Sequence, residues 1–375
     1  MSSFLEWTCS DNVRAIYAIR PQVPIGAEVR KIHGQALVSL IRRARNFFAT
    51  TAAVEITVFL RPYLCPHESG FYRSVGLLCL MVPENLDPTV MTELFDLWQS
   101  VPNCQEWTCL WVHLYSRLAR HSCESLLPAL QSQFPKIFES FLYILDVPSS
   151  KDAAQRPELL NWPSDCAFLL TKTAFKNETV KKMTRLIVYT LSPSSCTWNL
   201  LESLLGYLKP FFNPLNEGEW TSSLDMFLKM LTLNFAKRVG IERGSHRAKR
   251  SWRPIVPISA DNELAFVQLM LPVALSAFES KDYSMSFGAS QALKDLVSLQ
   301  SSVVLPLVLE RLIPALENSM KPHEALNSME VFSVILGPLL RADDELENPI
   351  IGQMLHQTLA GIDNNDPMKT MKTLR

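Results

Sequence analysis

From Asp87-Pro88 onward the chain places apolar residues with a helical beat. Aspartate is a favoured cap for a helix N-terminus, and proline suits the first helical position, where its missing N–H costs nothing. Val90, Leu94, Leu97, Trp98 and Val101 then share one face until Pro102 ends the run. After a turn through Asn103, the same stripe returns at Trp107, Leu110, Trp111, Leu114 and Leu118. Two such helices with a short turn between them predict an antiparallel hairpin. The same spacing predicts helices near 30–60, 67–82, 125–145, 165–175, 178–191, 195–212, 221–237, 261–279, 285–299, 302–319, 323–341 and 346–361. No stretch alternates with the period of two that a strand requires.

Residues 147–163, 213–219 and 240–257 carry proline, serine or charge in place of the stripe and read as connections. They divide the chain into a leading segment, 1–30; helical repeats, 31–146; a linker, 147–163; further repeats, 164–239; a basic linker, 240–257; and a last set of repeats, 258–375, whose final pair is cut. Within the last set the pattern repeats. Val267, Leu309 and Leu355 align, as do Leu271, Ile313 and Leu359, and again Ala274, Leu316 and Ile362, at intervals of 42 and 46 residues. Pro272 and Pro314 fall in the same register. A period of about 40–47 residues with two helices per unit is that of HEAT and armadillo arrays. The predicted fold class is therefore all-α, a HEAT/armadillo-like solenoid of antiparallel helix pairs, with the aligned columns buried between pairs.

Composition narrows this further. The chain has 12 glycines in 375 residues, about half the usual share of about 7%. Phosphate loops, hairpins and barrel corners all consume glycine, so its scarcity favours helices joined by short turns. Apolar residues make up 47% and the net charge is −1, which excludes an intrinsically disordered chain and any general drive toward nucleic acid or membrane. Charged residues, at 19%, fall below the usual quarter, as expected of a piece whose surface is covered by something larger. Glu6, Asp11 and Arg14 interrupt the place where a secretory signal would sit. The longest apolar run, 75–82, is far short of the ~20 residues of a membrane span. Eight cysteines without a CxxC pair read as reduced thiols of a nuclear or cytosolic protein.

No phosphate loop, nucleophile elbow, HExxH or dinucleotide fingerprint is present, so the chain reads as no enzyme, with no catalytic or metal residue to name. Cys65, His67 and Cys79 lack the second pair that would close a zinc site. His113, Tyr115 and Arg117 do not all share one face of a helix and cannot form one site together. The feature above background is a basic run. Lys237, Arg238, Arg243, Arg247, Lys249, Arg250 and Arg253 stand against Glu242 alone. Three readings stay open for it: a solvated linker, a site for a phosphorylated small molecule or acidic protein surface, and a nuclear-import signal around Arg247-Ala248-Lys249-Arg250.

Several stretches carry a resemblance. They are Leu60-Arg61-Pro62-Tyr63-Leu64-Cys65-Pro66, Arg117-Leu118-Ala119-Arg120, and Phe211-Phe212-Asn213-Pro214 with Asn216, Gly218 and Trp220. Ser290-Gln291-Ala292-Leu293 and Pro306-Leu307-Val308-Leu309-Glu310-Arg311 follow, with Pro314-Ala315-Leu316-Glu317, Lys321-Pro322-His323 and Leu359-Ala360-Gly361-Ile362-Asp363. In this order, from about residue 40 onward, the chain resembles an interior segment of the large single-chain proteasome activator family, complex subunit 4. The resemblance implies a HEAT-repeat dome on the end ring of the core proteasome that loosens its gate without ATP or ubiquitin. It implies degradation of peptides, unfolded proteins and acetylated histones, a link to DNA repair, a place in nucleus and cytoplasm, and basic openings that hold inositol phosphates. Its implied partners are the core proteasome end ring and the rest of the solenoid, with no direct nucleic acid and no membrane. Leu374 stands where the gate-docking tyrosine of the family would be, so this segment is expected to be a non-catalytic scaffold without that tail. The alternative is a free-standing HEAT adaptor of the transport-receptor or phosphatase-scaffold type.

Overall fold

Helices account for every regular element in the structure, a computed structural model, which describes residues 36, 38–49, 51–65, 71–83, 86–101, 105–121, 126–145, 172–192, 197–214, 220–244, 257–317, 322–339, 348–359, 362 and 367–374. Among these described residues there is no strand, and no helix is long and apolar enough to cross a membrane. The chain divides into two compact units, one of 1–144 with 148–186 and one of 145–147 with 187–375.

In the first unit, residues 38–44 are helical and close in a 3-10 turn, Arg45–Phe47. Phe48 then turns extended, so the stretch predicted as a helix over 30–60 is broken there. Five helices follow: α1 (Thr51–Leu60), α2 (Phe71–Met81), α3 (Pro88–Gln99), α4 (Gln105–His121) and α5 (Leu126–Leu145). α1 packs on α2 and α3, and α4 packs on both of those. This is pair on pair, each helix touching its mate and its counterpart in the next pair. The Asp87 carboxylate accepts the Thr89 N–H at 2.8 Å, the capping bond that the sequence predicted for α3. Trp98, Trp107, Trp111 and Tyr115 are fully buried, and Trp107 Nε1 donates to the Trp98 carbonyl at 2.9 Å. The buried face of α3 is centred on Leu94, Phe95 and Trp98, while Leu97 and Val101 are half-exposed. The tryptophans serve as core, each with a polar handle that needs a partner.

The second unit receives the last residues of α6 (Lys172–Thr190). α6 is one continuous helix where the sequence predicted two, over 165–175 and 178–191; residues 165–171 lie outside the described residues. α7 (Thr197–Leu208) passes into a 3-10 turn, Lys209–Phe212, at Pro210. α8 (Thr221–Glu242) runs five residues beyond its predicted end. Then come α9 (Ala260–Phe278), α10 (Tyr283–Leu299), α11 (Ser301–Glu317), α12 (Pro322–Leu339), α13 (Asn348–Leu359) and α14 (Pro367–Leu374). α9 pairs with α10 and α11 with α12; along one side α10 lies on α8 and α12, and α12 on α14. Along the other, α11 lies between α9 and α13. That double row is the HEAT arrangement. α14 was not foreseen, although Asp366-Pro367 repeats the Asp87-Pro88 signature.

The aligned columns are buried unevenly. Val267, Leu271 and Ala274 are buried, and Leu309 is at the margin with Ile313 and Leu316 half-buried. Leu355, Leu359 and Ile362 are 47%, 58% and 51% exposed. The row of α9, α11 and α13 follows the period, but the third member, expected to be buried, is not: among the described residues the strong contacts of α13 are with α11, on one flank.

Candidate functional site

The basic run is split by the fold between a structural neck and the segment beyond it. α8 continues through Arg238, whose side chain is buried. Its Nε donates to Glu242 Oε1 at 2.8 Å, one turn on, and the pair is 4% and 6% exposed. Its Nη1 donates to the carbonyls of Val188 at 2.5 Å and Leu191 at 2.8 Å. Those carbonyls close α6, where the last turn has no intrahelical donors and the helix dipole is negative, so a guanidinium suits the position. Glu242 Oε2 accepts the Ile258 N–H at 2.8 Å. Both ends of 243–257 are thereby fixed to one carboxylate.

Arg243 adds a second tie. It pairs with Glu263 in the first turn of α9, and Glu263 Oε1 accepts Gln300 Nε2 at 3.1 Å. Gly244 adopts φ +70 and donates to the Ile241 carbonyl at 3.1 Å, the left-handed exit that ends a helix and that glycine takes without strain. On the return side, Ser259 Oγ accepts the Asn262 N–H at 3.2 Å and caps α9. Phe235 of α8 and Phe266 of α9 stack with centroids 3.7 Å apart.

Of the seven predicted cations, Arg238 and Arg243 therefore serve internal ion pairs. Lys237 is exposed on α8. Arg247, Lys249, Arg250 and Arg253 lie outside the described residues. Glu242, read from the sequence as the lone acid in a basic run, is the pivot of the neck. Its signal was available as the i, i+4 pair with Arg238, had the helix been carried past 237.

Elsewhere the structure engages the residues considered for chemistry in internal packing and hydrogen bonds. Tyr115 donates to the Met91 carbonyl at 3.4 Å and Arg117 to that of Val82 at 2.7 Å. Burial, with Lys182 beside it, pushes the His113 imidazole down to about 4. Burial pushes the Cys79 thiol up to about 12. Among the described residues no cluster of histidine, cysteine and acid could hold a metal; His67 is outside them. A cleft of about 440 Å³ contains the Arg61–Glu93 ion pair at 3.1 Å, and one of about 170 Å³ contains Arg311 paired with Glu279. Neither is lined by a histidine or cysteine.

With this geometry in place, the relatives are informative. Residues 201–375 match the family described as proteasome activator complex subunit 4, mid HEAT repeats region. Proteasome activator subunit 4 of Arabidopsis thaliana is 29% identical over 376 residues, 94% of this chain and 20% of that protein. Proteasome activator complex subunit 4 of Homo sapiens is 28% identical over 90% of this chain, 18% of its own length. That of Xenopus laevis is 28% identical over the same shares. The chain thus spans about a fifth of the length of these relatives. The resemblance and the HEAT fold read from the sequence are both borne out.

Proposed function

Because the chain resembles a mid HEAT-repeat segment of the proteasome activator complex subunit 4 family, we propose that it is a scaffold segment of a proteasome activator, working through surface contacts rather than catalysis. The observation that carries this reading is the similarity along nine-tenths of the chain to proteins bearing that name, in a fold of stacked helix pairs. In this role the segment helps to span the end ring of the 20S core particle and supports degradation of peptides and proteins, acetylated histones included, without ATP or ubiquitin, in nucleus and cytoplasm. The basic segment is its candidate ligand site. Lys237, Arg247, Lys249, Arg250 and Arg253 supply cations for an inositol phosphate or an acidic protein surface, on a neck whose own charges are paired.

The test is affinity purification of the protein expressed from its own gene with an epitope tag. Core proteasome subunits should be recovered. Their absence, with a transport cargo or phosphatase catalytic subunit in their place, would favour the free-standing adaptor. For the basic segment, calorimetry with inositol hexakisphosphate should show binding that the Arg247→Glu, Arg250→Glu double variant abolishes; unchanged binding would return the segment to a linker.

A further inference from the structure

The seam between α8 and α10 buries two aspartates that a scaffold role does not use. Asp225 of α8 presses its carboxyl against the backbone of α10 at Gly288. A Cβ there would stand 1.6 Å from Asp225 Oδ1, so the approach exists only because the residue is glycine. That Oδ1 is buried without a hydrogen-bond partner. Further along, Asp295 of α10 reaches back and accepts the Thr232 hydroxyl of α8 at 3.4 Å. Each helix drives one acid into the other.

An ionised carboxylate without a partner is far costlier to bury than the neutral acid. Burial pushes Asp225 up to about 7; Lys229 on its own helix opposes this and Asp282, at the head of α10, reinforces it. Burial pushes Asp295 up to about 6, against Lys294, the Thr232 bond, Lys237 and Lys229. Of the other helices packed on α10, α9 brings the buried Glu263, which is tied to Arg243 and Gln300; α12 brings the buried Glu330; α11 brings Arg311, paired with Glu279. Lys229 also sits 4.9 Å over the Phe287 ring, which places its charge on the α10 surface.

We propose that the α8–α10 seam is a proton-operated clamp, closed when Asp225 and Asp295 are protonated and loosened when they ionise. The folded state keeps protons that the unfolded chain, with ordinary aspartates near ~3.9, gives up. Its contribution is therefore complete below the ordinary aspartate value and is lost as pH rises through about 6 and about 7. The α8–α10 stack should be tightest in mildly acidic solution and weakest above neutrality.

Thermal unfolding of the full chain between pH 6.5 and 8.5 tests this in a window above the ordinary histidine value. The wild-type midpoint should fall by a few degrees across it. Asp225→Asn, which mimics the neutral acid, should remove at least half of that fall and unfold later than wild type at pH 8.5. Asp295→Asn should act in the same direction with a smaller effect, and Asp261→Asn, at an exposed acid, should leave the slope unchanged. A wild-type midpoint that does not fall overturns the proposal. So does an Asp225→Asn chain less stable than wild type at pH 8.5, since the seam would then need the carboxylate.

Discussion

Arg117 of α4 donates its Nη1 to the carbonyl oxygen of Val82 at 2.7 Å, closing the end of α2 from a position 35 residues later in the chain. The device recurs. Asn327 of α12 donates to Phe278 and Ser280, both at 3.0 Å, at the end of α9, and Arg238 of α8 does the same at the end of α6. Helix C-termini carry carbonyls with no partner in their own helix. In an array of stacked pairs those ends are covered by the next layer, so a later helix supplies the donor that water cannot.

Arg238 should consequently be costly to replace alone. Arg238→Met leaves Glu242 buried without its cation, and about 3–5 kcal/mol of stability should be lost. The double variant Arg238→Met, Glu242→Leu should recover much of that loss. Urea unfolding followed by circular dichroism measures both; a double variant no better than the single would show that the carbonyl bonds, not the ion pair, dominate.

Leu309→Ala should cost about 2–5 kcal/mol through lost burial and the cavity left behind. Leu359→Ala, at a residue 58% exposed, should stay within about 0.5 kcal/mol. Denaturant midpoints of the two variants measure the difference.

Glycines should divide sharply. Gly76, inside α2, has nothing within 4 Å of where a Cβ would stand, so Gly76→Ala should stabilise the chain by about 0.5–1 kcal/mol. Gly288→Ala collides with Asp225 and should destabilise it by at least about 1–3 kcal/mol. Thermal midpoints report both.

Cys79 should resist alkylation. Its thiol is pushed up to about 12 by burial, with Arg117 acting against the shift, so the reactive thiolate is scarce at pH 8. Peptide mapping after iodoacetamide should find it unmodified in the folded chain and modified in urea.

His113 sets an acid limit on the first unit. Its folded value, about 4, lies below the ordinary ~6.5, so its contribution is complete above the ordinary value and is lost as pH falls toward the folded one. Stability of that unit should decline from about pH 6.5 downward, and His113→Gln should flatten the decline. Limited proteolysis across this range, with the fragments mapped to each unit, follows it. The α8–α10 seam responds with the opposite sign, so the two units respond differently to acidification.

How far the sequence carries can be judged residue by residue. Asp87-Pro88 located α3 because a cap and a first-turn proline are local signals. The 42-residue period put α9 and α11 in one row because register is written in spacing. Leu355 defeated the same logic, since burial is a property of the neighbour and not of the stripe. The partners of Arg238 and Glu242 were not legible for a related reason. Charge alone does not tell a solvated cation from one buried against the carbonyls of Val188 and Leu191, a contact across about fifty positions. α14 was legible in Asp366-Pro367 and was passed over because its apolar stripe is only two turns long.

The neck at Glu242 ties the end of α8 directly to the approach to α9. With the Ile258 N–H fixed to the same carboxylate that receives Arg238, the two helices no longer depend on what lies between for their spacing. Lengthening such an excursion is cheap, about 0.6 kcal/mol for each doubling. This is where the chain can gain or shed residues, exchange its charges, or accept a spliced-in reporter, while α8 and α9 keep their places.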